Sequence, residues 1–319
     1  MNISVLGCGR WGSFIGWYLN KIGHDVVLWG LADSELTQQL IAERKNNLLN
    51  FDERITISSD LDLAVNHAEV IVISISSQNL RSFLGTLKNY DLKEKTIVLC
   101  MKGIEESTGM RLTQVVEEIL GESINVAIWV GPGHVQDFSN GIPNCMVIDS
   151  KKRETQEKLI EAFSSELIRF YYGTDLIGNE FGAAAKNVIG IAAGMLDGVG
   201  YTSLKGALMS RGTREIARLI KEMGGNPISA YGLAHLGDYQ ATLFSEHSHN
   251  RKFGEMFIRG EHFGALAEGV STTHALVKLG EKYNIDLPIC RAVDSIINDG
   301  QDPKKVISEL FLRSIKDEF

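Results

Sequence analysis

Two adjacent polar residues interrupt a long apolar segment and could do chemistry there. Residues 181–196 read FGAAAKNVIGIAAGML, which is apolar on every helical face except at Lys186 and Asn187. A helix that is apolar all round is normally buried, and burying an ammonium group is costly unless partners compensate or the lysine sheds its proton. Lys186 is therefore either a proton-transfer group or a structural lysine whose charged end reaches a domain surface. The segment alone leaves both interpretations open.

A glycine-rich turn near the start of the chain could bind phosphates. Residues 2–6 (NISVL) have the β-branched alternation of a strand, residues 7–12 read GCGRWG, and a helix-compatible segment follows. Gly7 permits a tight turn, Gly9 lets the backbone approach a pyrophosphate, and Gly12 lets the helix pack closely on the strand. Because strand, turn and helix occur in the order that the motif requires, the segment predicts dinucleotide binding rather than a purely structural turn.

Composition narrows the classes of protein. The chain has 319 residues, 44% of them hydrophobic and 23% charged, and a formal net charge of −8. This charge argues against a nucleic-acid-binding surface. The longest apolar run, 188–199, contains Asp197 and is too short for a membrane span, and we see no signal peptide before the first strand. The cysteines lack CxxC spacing, which suits free thiols in a reducing cytosol, so we expect a cytoplasmic protein. They are Cys8, Cys100, Cys145 and Cys290.

The elements that must position these residues change in type along the chain. The first half alternates short apolar runs with helical stretches, which predicts βα units in a mostly parallel sheet. From about residue 179 the strand signals vanish and helical periodicity takes over. We therefore predict an α/β protein with a Rossmann-type doubly wound domain over 1–178 and an all-helical substrate domain over 179–319, with ligands bound in a cleft between them. The predicted strands are 2–6, 25–29, 70–75, 96–100, 126–130, 145–148 and 168–172, and the clearest helices are 80–87, 110–120, 212–223 and 274–283.

An ordered set of motifs covers nearly the whole chain. The set is KGIE at 102–105, GPG at 131–133, TDLIGNEFGAAAKNVIGIAAG at 174–194, GLAHLGD at 232–238, SHNRKFG at 248–254, AEG at 267–269 and LPIC at 287–290. In order and spacing the chain resembles the bacterial NAD(P)-dependent glycerol-3-phosphate dehydrogenases. The resemblance implies an oxidoreductase that interconverts dihydroxyacetone phosphate and sn-glycerol 3-phosphate by hydride transfer, for glycerophospholipid synthesis.

The same resemblance assigns catalytic roles. Lys186 matches the proton-transfer lysine, which would protonate the carbonyl oxygen during reduction and deprotonate the hydroxyl in reverse. Lys102 matches a lysine near cofactor and substrate, although the sequence alone favours an exposed loop lysine. Asp238 would meet the substrate hydroxyls or orient the lysine, whereas a carboxylate after a glycine is often only a helix cap. Asn187 is a secondary candidate for binding the substrate or the nicotinamide amide.

The substrate-binding residues implied are Lys102, Gly131, Gly133, Ser248, Asn250 and Arg251. A helix N-terminus near Ser248 would hold the phosphate, and Arg251 would clamp it. The residues alone favour an ordinary helix cap beside a solvated basic pair, and the phosphate site is what the resemblance implies. His247 and His249 have a spacing found in metal sites, but no cysteine or carboxylate cluster completes a coordination set, so we predict no metal.

The cofactor-binding residues implied are Gly7, Gly9, Arg10, Trp11, Gly12, Leu31, Lys102, Val135, His249, Leu266 and Glu268. No cation at Leu31 would pair with a 2′-phosphate, and Asp33 would repel one, which favours NAD over NADP. Arg10 could nevertheless support NADPH. Both dinucleotides therefore remain candidates.

Three departures from the family pattern leave alternatives open. Gly133 stands where a serine or threonine is usual, His249 where an arginine is usual, and Ser76-Ser77 where Pro-Ser is usual. The alternatives are a related dehydrogenase of another small hydroxy acid or phosphorylated polyol, and a non-catalytic NAD(H)-binding sensor. A pure sensor needs no buried base, which speaks against the second. We expect a small phosphorylated triose or polyol as partner, with no nucleic acid and no membrane insertion, and a homodimer is left open.

Overall fold

The computed structural model of this chain describes residues 1–315 and 317–318. These residues group into two compact units. The first comprises residues 1–102 and 110–176, and the second comprises residues 103–109 together with the described residues from 177 onward. The short segment 103–109 groups with the second unit because Ile104 is fully buried in that unit's hydrophobic core. The predicted domain boundary at residue 178 stays a prediction.

The first unit contains an eight-stranded sheet. Its strands are β1 (Asn2–Leu6), β2 (Asp25–Trp29), β3 (Thr56–Ser58), β4 (Val70–Ile73), β5 (Thr96–Leu99), β6 (Asn125–Val130), β7 (Asn144–Asp149) and β8 (Ile168–Tyr172). They lie in the order β3-β2-β1-β4-β5-β6-β7-β8, and neighbours are parallel except β6 and β7. The chain order reverses at β1 and β4, and ligands of open α/β sheets bind at the carboxyl ends of strands at such a reversal.

Helices connect these strands. They are α1 (Arg10–Lys21), α2 (Glu35–Glu43), α3 (Leu61–His67), α4 (Leu80–Leu87), α5 (Leu112–Leu120), α6 (Val135–Ser139) and α7 (Arg153–Phe163). The core includes Phe14, Tyr18 and Trp129, all without solvent exposure. The predicted doubly wound α/β domain is confirmed. The sequence missed β3, because this short edge strand has no fully buried face to mark it.

The second unit is helical. It contains α8 (Leu176–Gly198), α9 (Lys205–Glu222), α10 (His249–Ile258), α11 (Gly269–Lys282), α12 (Pro288–Ile297) and α13 (Pro303–Phe311). Shorter helical turns are Thr202–Leu204, Pro227–Tyr231, Leu236–Asp238 and the π-helical turn Gln240–Phe244. The part of this unit that the structure describes contains no strand, so the predicted helical domain is confirmed. The longest described helices are not apolar enough to span a membrane.

Helix α8 is the centre of the second unit. Its residues are buried from Gly178 to Leu196, as the all-round apolar sequence predicts. Glycines let its backbone approach that of α10. A Cβ atom on Gly194 would lie 1.9 Å from the carbonyl oxygen of Arg251, and one on Gly254 would lie 2.2 Å from that of Ile191. The start of α10 is therefore fixed against the helix that carries Lys186.

Candidate active site

Two of the three glycines in the turn after β1 are packed tightly against backbone atoms, and the third lies against open space. Gly7 has a φ of +115°, and a Cβ atom there would lie 2.2 Å from the carbonyl oxygen of Ser74. A Cβ atom on Gly12 would lie 1.8 Å from the carbonyl oxygen of Gly7, whereas a Cβ atom on Gly9 would meet no heavy atom within 4 Å. Gly7 and Gly12 are therefore required by packing, and Gly9 leaves an open approach to the backbone.

The residues around this turn fit a dinucleotide. The open backbone at Gly9 caps α1, so the positive end of the helix dipole and its first N–H groups are available to a pyrophosphate. The indole nitrogen of Trp11 is buried and has no hydrogen-bond partner. A buried donor of this kind is uncommon and indicates a missing acceptor. Gly7, Gly9, Arg10, Trp11 and Gly12 are thus placed together where a dinucleotide would be held.

Further predicted residues follow the carboxyl ends of other strands in this unit. Lys102 follows β5, and its Nζ donates to the carbonyl oxygen of Gly131, which follows β6, at 2.7 Å. Val135 is buried at the first position of α6. Leu31 follows β2, and 60% of its surface is exposed. The structure thus joins Lys102 to the turn at 131–133 by a hydrogen bond.

The packing around Gly133 leaves no room for a side chain. Gly133 has a φ of +149°, and a Cβ atom there would lie 2.3 Å from the ring of Phe138. That ring is itself fixed, because it stacks on Phe14 with centroids 4.9 Å apart. A serine side chain would not fit without moving Phe138. Only backbone groups of the 131–133 turn can therefore contact a ligand at this position.

In the second unit, Lys186 and Asp238 form a buried ion pair. The Nζ atom of Lys186 lies 3.0 Å from Oδ2 of Asp238, with 10% and 1% of the side chains exposed. Nζ also donates to the hydroxyl of Thr242 at 2.7 Å, and that hydroxyl donates to the carbonyl oxygen of Asp238 at 2.7 Å. The ammonium is therefore desolvated, compensated and held in a fixed direction, which is what a proton-transfer group requires.

The predicted phosphate segment begins α10. Ser248 caps this helix, since its hydroxyl accepts a hydrogen bond from the Arg251 N–H at 3.3 Å. Asn250 accepts from the Gly269 N–H at 2.9 Å through its side-chain oxygen. Its NH₂ group is then the end that can donate to an anion. The serine and the asparagine are thus fixed at the N-terminus of a helix, where anions bind well.

Arg251 makes contacts that the sequence did not predict. Its guanidinium Nη1 lies 2.7 Å from Asp197 and 2.9 Å from Glu255, and Nε donates to the Ser245 carbonyl at 3.1 Å. Lys205 lies 2.6 Å from the same Asp197 oxygen. Burial alone would raise the pKa of Asp197, but hydrogen bonds from Lys205 and Arg251 outweigh it and the pKa is lowered. The role of Arg251 as a phosphate clamp stays a prediction, because its guanidinium serves two carboxylates here.

The remaining predicted cofactor residues lie at the ends of α10 and α11. His249 is exposed, and its Nδ1 lies 3.2 Å from the carbonyl oxygen of Leu266, to which it donates in the matching tautomer. Leu266 is 58% exposed. Glu268 precedes α11, and its carbonyl oxygen accepts from the Thr272 hydroxyl at 2.9 Å. The structure joins His249 to Leu266 directly.

Sequence reasoning missed Thr242, which completes the lysine site. Its position four residues after Asp238 is the one signal in the sequence, because residues at this spacing share a helical face. The chain around it, however, forms a 3-10 turn followed by a π-helical turn. Neither turn has a sequence pattern that predicts where a side chain will point. Asp197 and Lys205 were missed as partners of Arg251 for a similar reason.

Family models decide the relationship of this chain to known proteins. Residues 2–156 match the N-terminus of the NAD-dependent glycerol-3-phosphate dehydrogenases, and residues 175–308 match their C-terminus. The chain belongs to this family. The glycerol-3-phosphate dehydrogenase [NAD(P)+] of Chlorobium phaeobacteroides is 36% identical over 100% of this chain and 99% of its own length. That of a Thermoanaerobacter species is 35% identical with the same coverage.

Solved structures agree with this relationship. The crystal structure of glycerol-3-phosphate dehydrogenase from Coxiella burnetii has a TM-score of 0.92 and 28% identity, covering 98% of each chain. A ketopantoate reductase of Ralstonia eutropha has a TM-score of 0.65 and 15% identity over 97% of this chain and 99% of its own, which shows a shared fold only. The predicted family is thus confirmed, and with it an NAD(P)-binding oxidoreductase.

Proposed function

We propose that this protein is an NAD(P)-dependent glycerol-3-phosphate dehydrogenase. It interconverts dihydroxyacetone phosphate and sn-glycerol 3-phosphate and supplies the glycerol backbone for phospholipids. The observation that carries the proposal is the buried pair of Lys186 and Asp238 in a chain that belongs to this family. A protein that only sensed NAD(H) would have no use for a desolvated ammonium whose counter-charge and hydroxyl partner fix its direction.

Lys186 moves the proton in the proposed reaction. The dinucleotide, when bound, supplies a hydride to C2 of the ketone or accepts it from the alcohol. Nζ of Lys186 donates one proton to the carbonyl oxygen in the reducing direction and takes it from the hydroxyl in the oxidising direction. Asp238 stabilises the charged form of the lysine, and the Thr242 hydroxyl orients it. Lys102 is proposed as the second catalytic lysine, as in the family that the chain belongs to.

The substrate phosphate is proposed to bind at the start of α10. Ser248 and Asn250 are fixed there, and the positive end of the helix dipole would stabilise an anion at this position. Lys102 and the backbone of Gly131 and Gly133 complete the proposed substrate contacts. Arg251 is proposed as the clamp on this phosphate, and its ion pair with Asp197 also holds this end of the helix.

The decisive experiment replaces Lys186 by methionine, which keeps the length of the side chain but removes the amine. We expect NADH consumption with dihydroxyacetone phosphate to fall at least about a hundredfold, since general acid–base catalysis contributes about 10² to 10⁴. NADH binding, followed by quenching of tryptophan fluorescence, should be unchanged. The control is Lys95→Met, which removes a partly buried amine that donates to the carbonyl oxygen of Ala68. A Lys186→Met enzyme that turns over at the normal rate would refute the proposed role.

A second candidate is a related dehydrogenase of another small hydroxy acid or phosphorylated polyol. The observation favouring it is the ring of Phe138, which closes the position where a hydroxyl side chain would contact a ligand. Rates with dihydroxyacetone phosphate, with other phosphorylated ketones and with 2-keto acids would separate the candidates. A higher kcat/KM for an unphosphorylated keto acid would favour the second.

We propose NADH as the preferred form of the cofactor. Leu31 is exposed and apolar at the end of β2, where a cation would be needed for a 2′-phosphate, and Asp33 is exposed nearby. Wild-type KM should be lower for NADH than for NADPH. A Leu31→Arg variant should lower KM for NADPH by about tenfold, because a charge-assisted contact contributes about 1.5 kcal/mol. An unchanged KM ratio would argue against this position.

We propose a cytoplasmic location, for which the four free cysteines are the support. Cell fractionation followed by thiol labelling of the intact protein tests it.

A homodimer is proposed as the assembly, and light scattering on the purified protein gives its mass directly.

A further inference from the structure

A fully buried histidine lies beside the Lys186–Asp238 pair. Nδ1 of His235 lies 2.8 Å from the carbonyl oxygen of Gly182, and Nε2 lies 2.7 Å from the hydroxyl of Tyr239. A carbonyl oxygen can only accept, so Nδ1 carries the proton and Nε2 accepts from the tyrosine. Burial lowers the pKa of His235 to about 4, so the ring is neutral at neutral pH.

One contact of the histidine reaches the helix that carries the lysine. Gly182 precedes Lys186 by one helical turn of α8, so its carbonyl oxygen is also the helical acceptor of the Lys186 N–H. A Cβ atom on Gly182 would lie 3.0 Å from Cβ of His235, so a side chain there would crowd the ring. His235 is therefore attached to the turn of α8 from which Lys186 projects.

Its other contacts reach the turn that carries the carboxylate. The Asp238 N–H donates to the His235 carbonyl at 3.0 Å. Tyr239, the next residue, is fully buried and returns its hydroxyl to the same imidazole ring. The ring and the backbone of His235 thus hold both ends of the Leu236–Asp238 turn.

We propose that His235, together with Tyr239, is a positioning residue that fixes the distance between Lys186 Nζ and Asp238 Oδ2. It does so by linking the backbone of α8 at Gly182 to the backbone of the Leu236–Asp238 turn. The proposal rests on the proposed role of Lys186 in proton transfer. It adds a residue that touches neither substrate nor cofactor and that acts through the ion pair.

Three variants separate the contacts. Tyr239→Phe keeps the buried ring and removes the donor to Nε2. His235→Asn keeps an N–H at the position of Nδ1 and so conserves the bond to Gly182, whereas His235→Leu removes both hydrogen bonds. The matched control is Tyr18→Phe, which deletes another buried tyrosine hydroxyl, one that donates to the Phe163 carbonyl in the first unit.

The expected result is a loss of kcat without a change in NADH affinity. His235→Leu should lower kcat by about tenfold or more, since misplacing reacting groups by about 1 Å can cost about a hundredfold. Tyr239→Phe should lower kcat by a smaller factor, and His235→Asn should keep most of the wild-type kcat. The lysine limb of the pH profile of kcat should move in His235→Leu and Tyr239→Phe, because the proton affinity of Lys186 depends on its distance from Asp238.

Unchanged kcat and an unchanged pH profile in folded His235→Leu and Tyr239→Phe would overturn the proposal. A loss of stability with normal kcat would also overturn it, since that is the result of a purely structural role. Should His235→Leu fail to fold, Tyr239→Phe decides alone. A fully active Lys186→Met enzyme would instead refute the proposed catalytic lysine, so the two failures are distinguishable.

Discussion

Gly9 and Gly12 lie in the same turn, yet a methyl group should have opposite effects at the two positions. Gly12→Ala should lower the free energy of unfolding by about 3 kcal/mol, because the methyl carbon would overlap the Gly7 carbonyl and force the backbone to move. Gly9→Ala should leave stability nearly unchanged, because its methyl enters open space. That space is where a pyrophosphate would lie, so Kd for NADH should rise about tenfold. Urea unfolding and fluorescence titration measure the two effects. Equal destabilisation by both changes would contradict the assignment.

Asp197 compensates two cations at once. Its side chain is 11% exposed and contacts both Lys205 and Arg251. Asp197→Asn should lower the free energy of unfolding by about 3 kcal/mol, because it removes the carboxylate partner of the buried Lys205 and leaves Arg251 with Glu255 as its remaining carboxylate. It should also raise KM for the phosphorylated substrate, since α10 loses its attachment at Arg251. The control is Glu255→Gln, which removes the other carboxylate beside Arg251 and leaves the Asp197 contacts in place. An Asp197→Asn protein as stable as Glu255→Gln would refute this.

At the scale of the element, glycines decide how closely α8 and α10 pack. Gly194→Ala and Gly254→Ala should each lower the free energy of unfolding by at least about 2 kcal/mol, because each methyl would overlap a backbone carbonyl of the other helix. Gly85→Ala in α4 is the control, since a Cβ atom there meets nothing within 4 Å. It should stabilise the protein by about 0.5 to 1 kcal/mol through helix propensity. Thermal unfolding of the three variants gives the order directly.

The sequence predicted the elements better than their contacts. β1, β2 and β8 have the predicted bounds, because short runs of β-branched or aromatic residues mark them. Helix α9 begins at Lys205 rather than near residue 212, because its first turns are mostly exposed and show no clear apolar period. The antiparallel placement of β7 beside β6 depends on contacts between distant residues, which periodicity does not contain.

At the site around Lys186, too, burial could be predicted but most contacts could not. The apolar surroundings of Lys186 revealed a buried cation, and family motifs supplied Asp238 as its partner. Thr242 and His235 could not be predicted, because both depend on the irregular turns between Leu236 and Phe244. Local patterns report burial, whereas hydrogen-bond partners from distant segments depend on the folded chain.

At the scale of the whole molecule, His235 makes stability depend on pH. Its folded pKa of about 4 lies below the ordinary value of 6.5, because burial disfavours the charged ring. Nearby Asp238 opposes this shift and Lys186 adds to it. The unfolded state therefore binds more protons between these values, and stability falls as pH falls from about 6.5 towards 4.

The histidine should account for about 3 kcal/mol of this loss, at about 1.4 kcal/mol per pKa unit. His235→Asn cannot titrate, so its free energy of unfolding should depend less steeply on pH across this window. Urea unfolding of both proteins at a series of pH values measures the difference. Parallel pH curves for the two proteins would show that folding does not lower the pKa of His235.

Because residues 103–109 group with the second unit, the chain cannot be cut into fragments at the start of α8 without loss. Ile104 fills the core of the helical unit, and Gly109 lies against Leu279, yet both precede the rest of that unit by some seventy residues. A fragment that starts at residue 177 therefore lacks part of its own interior. Such a fragment should fold poorly alone and gain helical circular dichroism when a synthetic peptide covering 103–109 is added. The gene, in other words, cannot be divided at a single point into two self-sufficient halves.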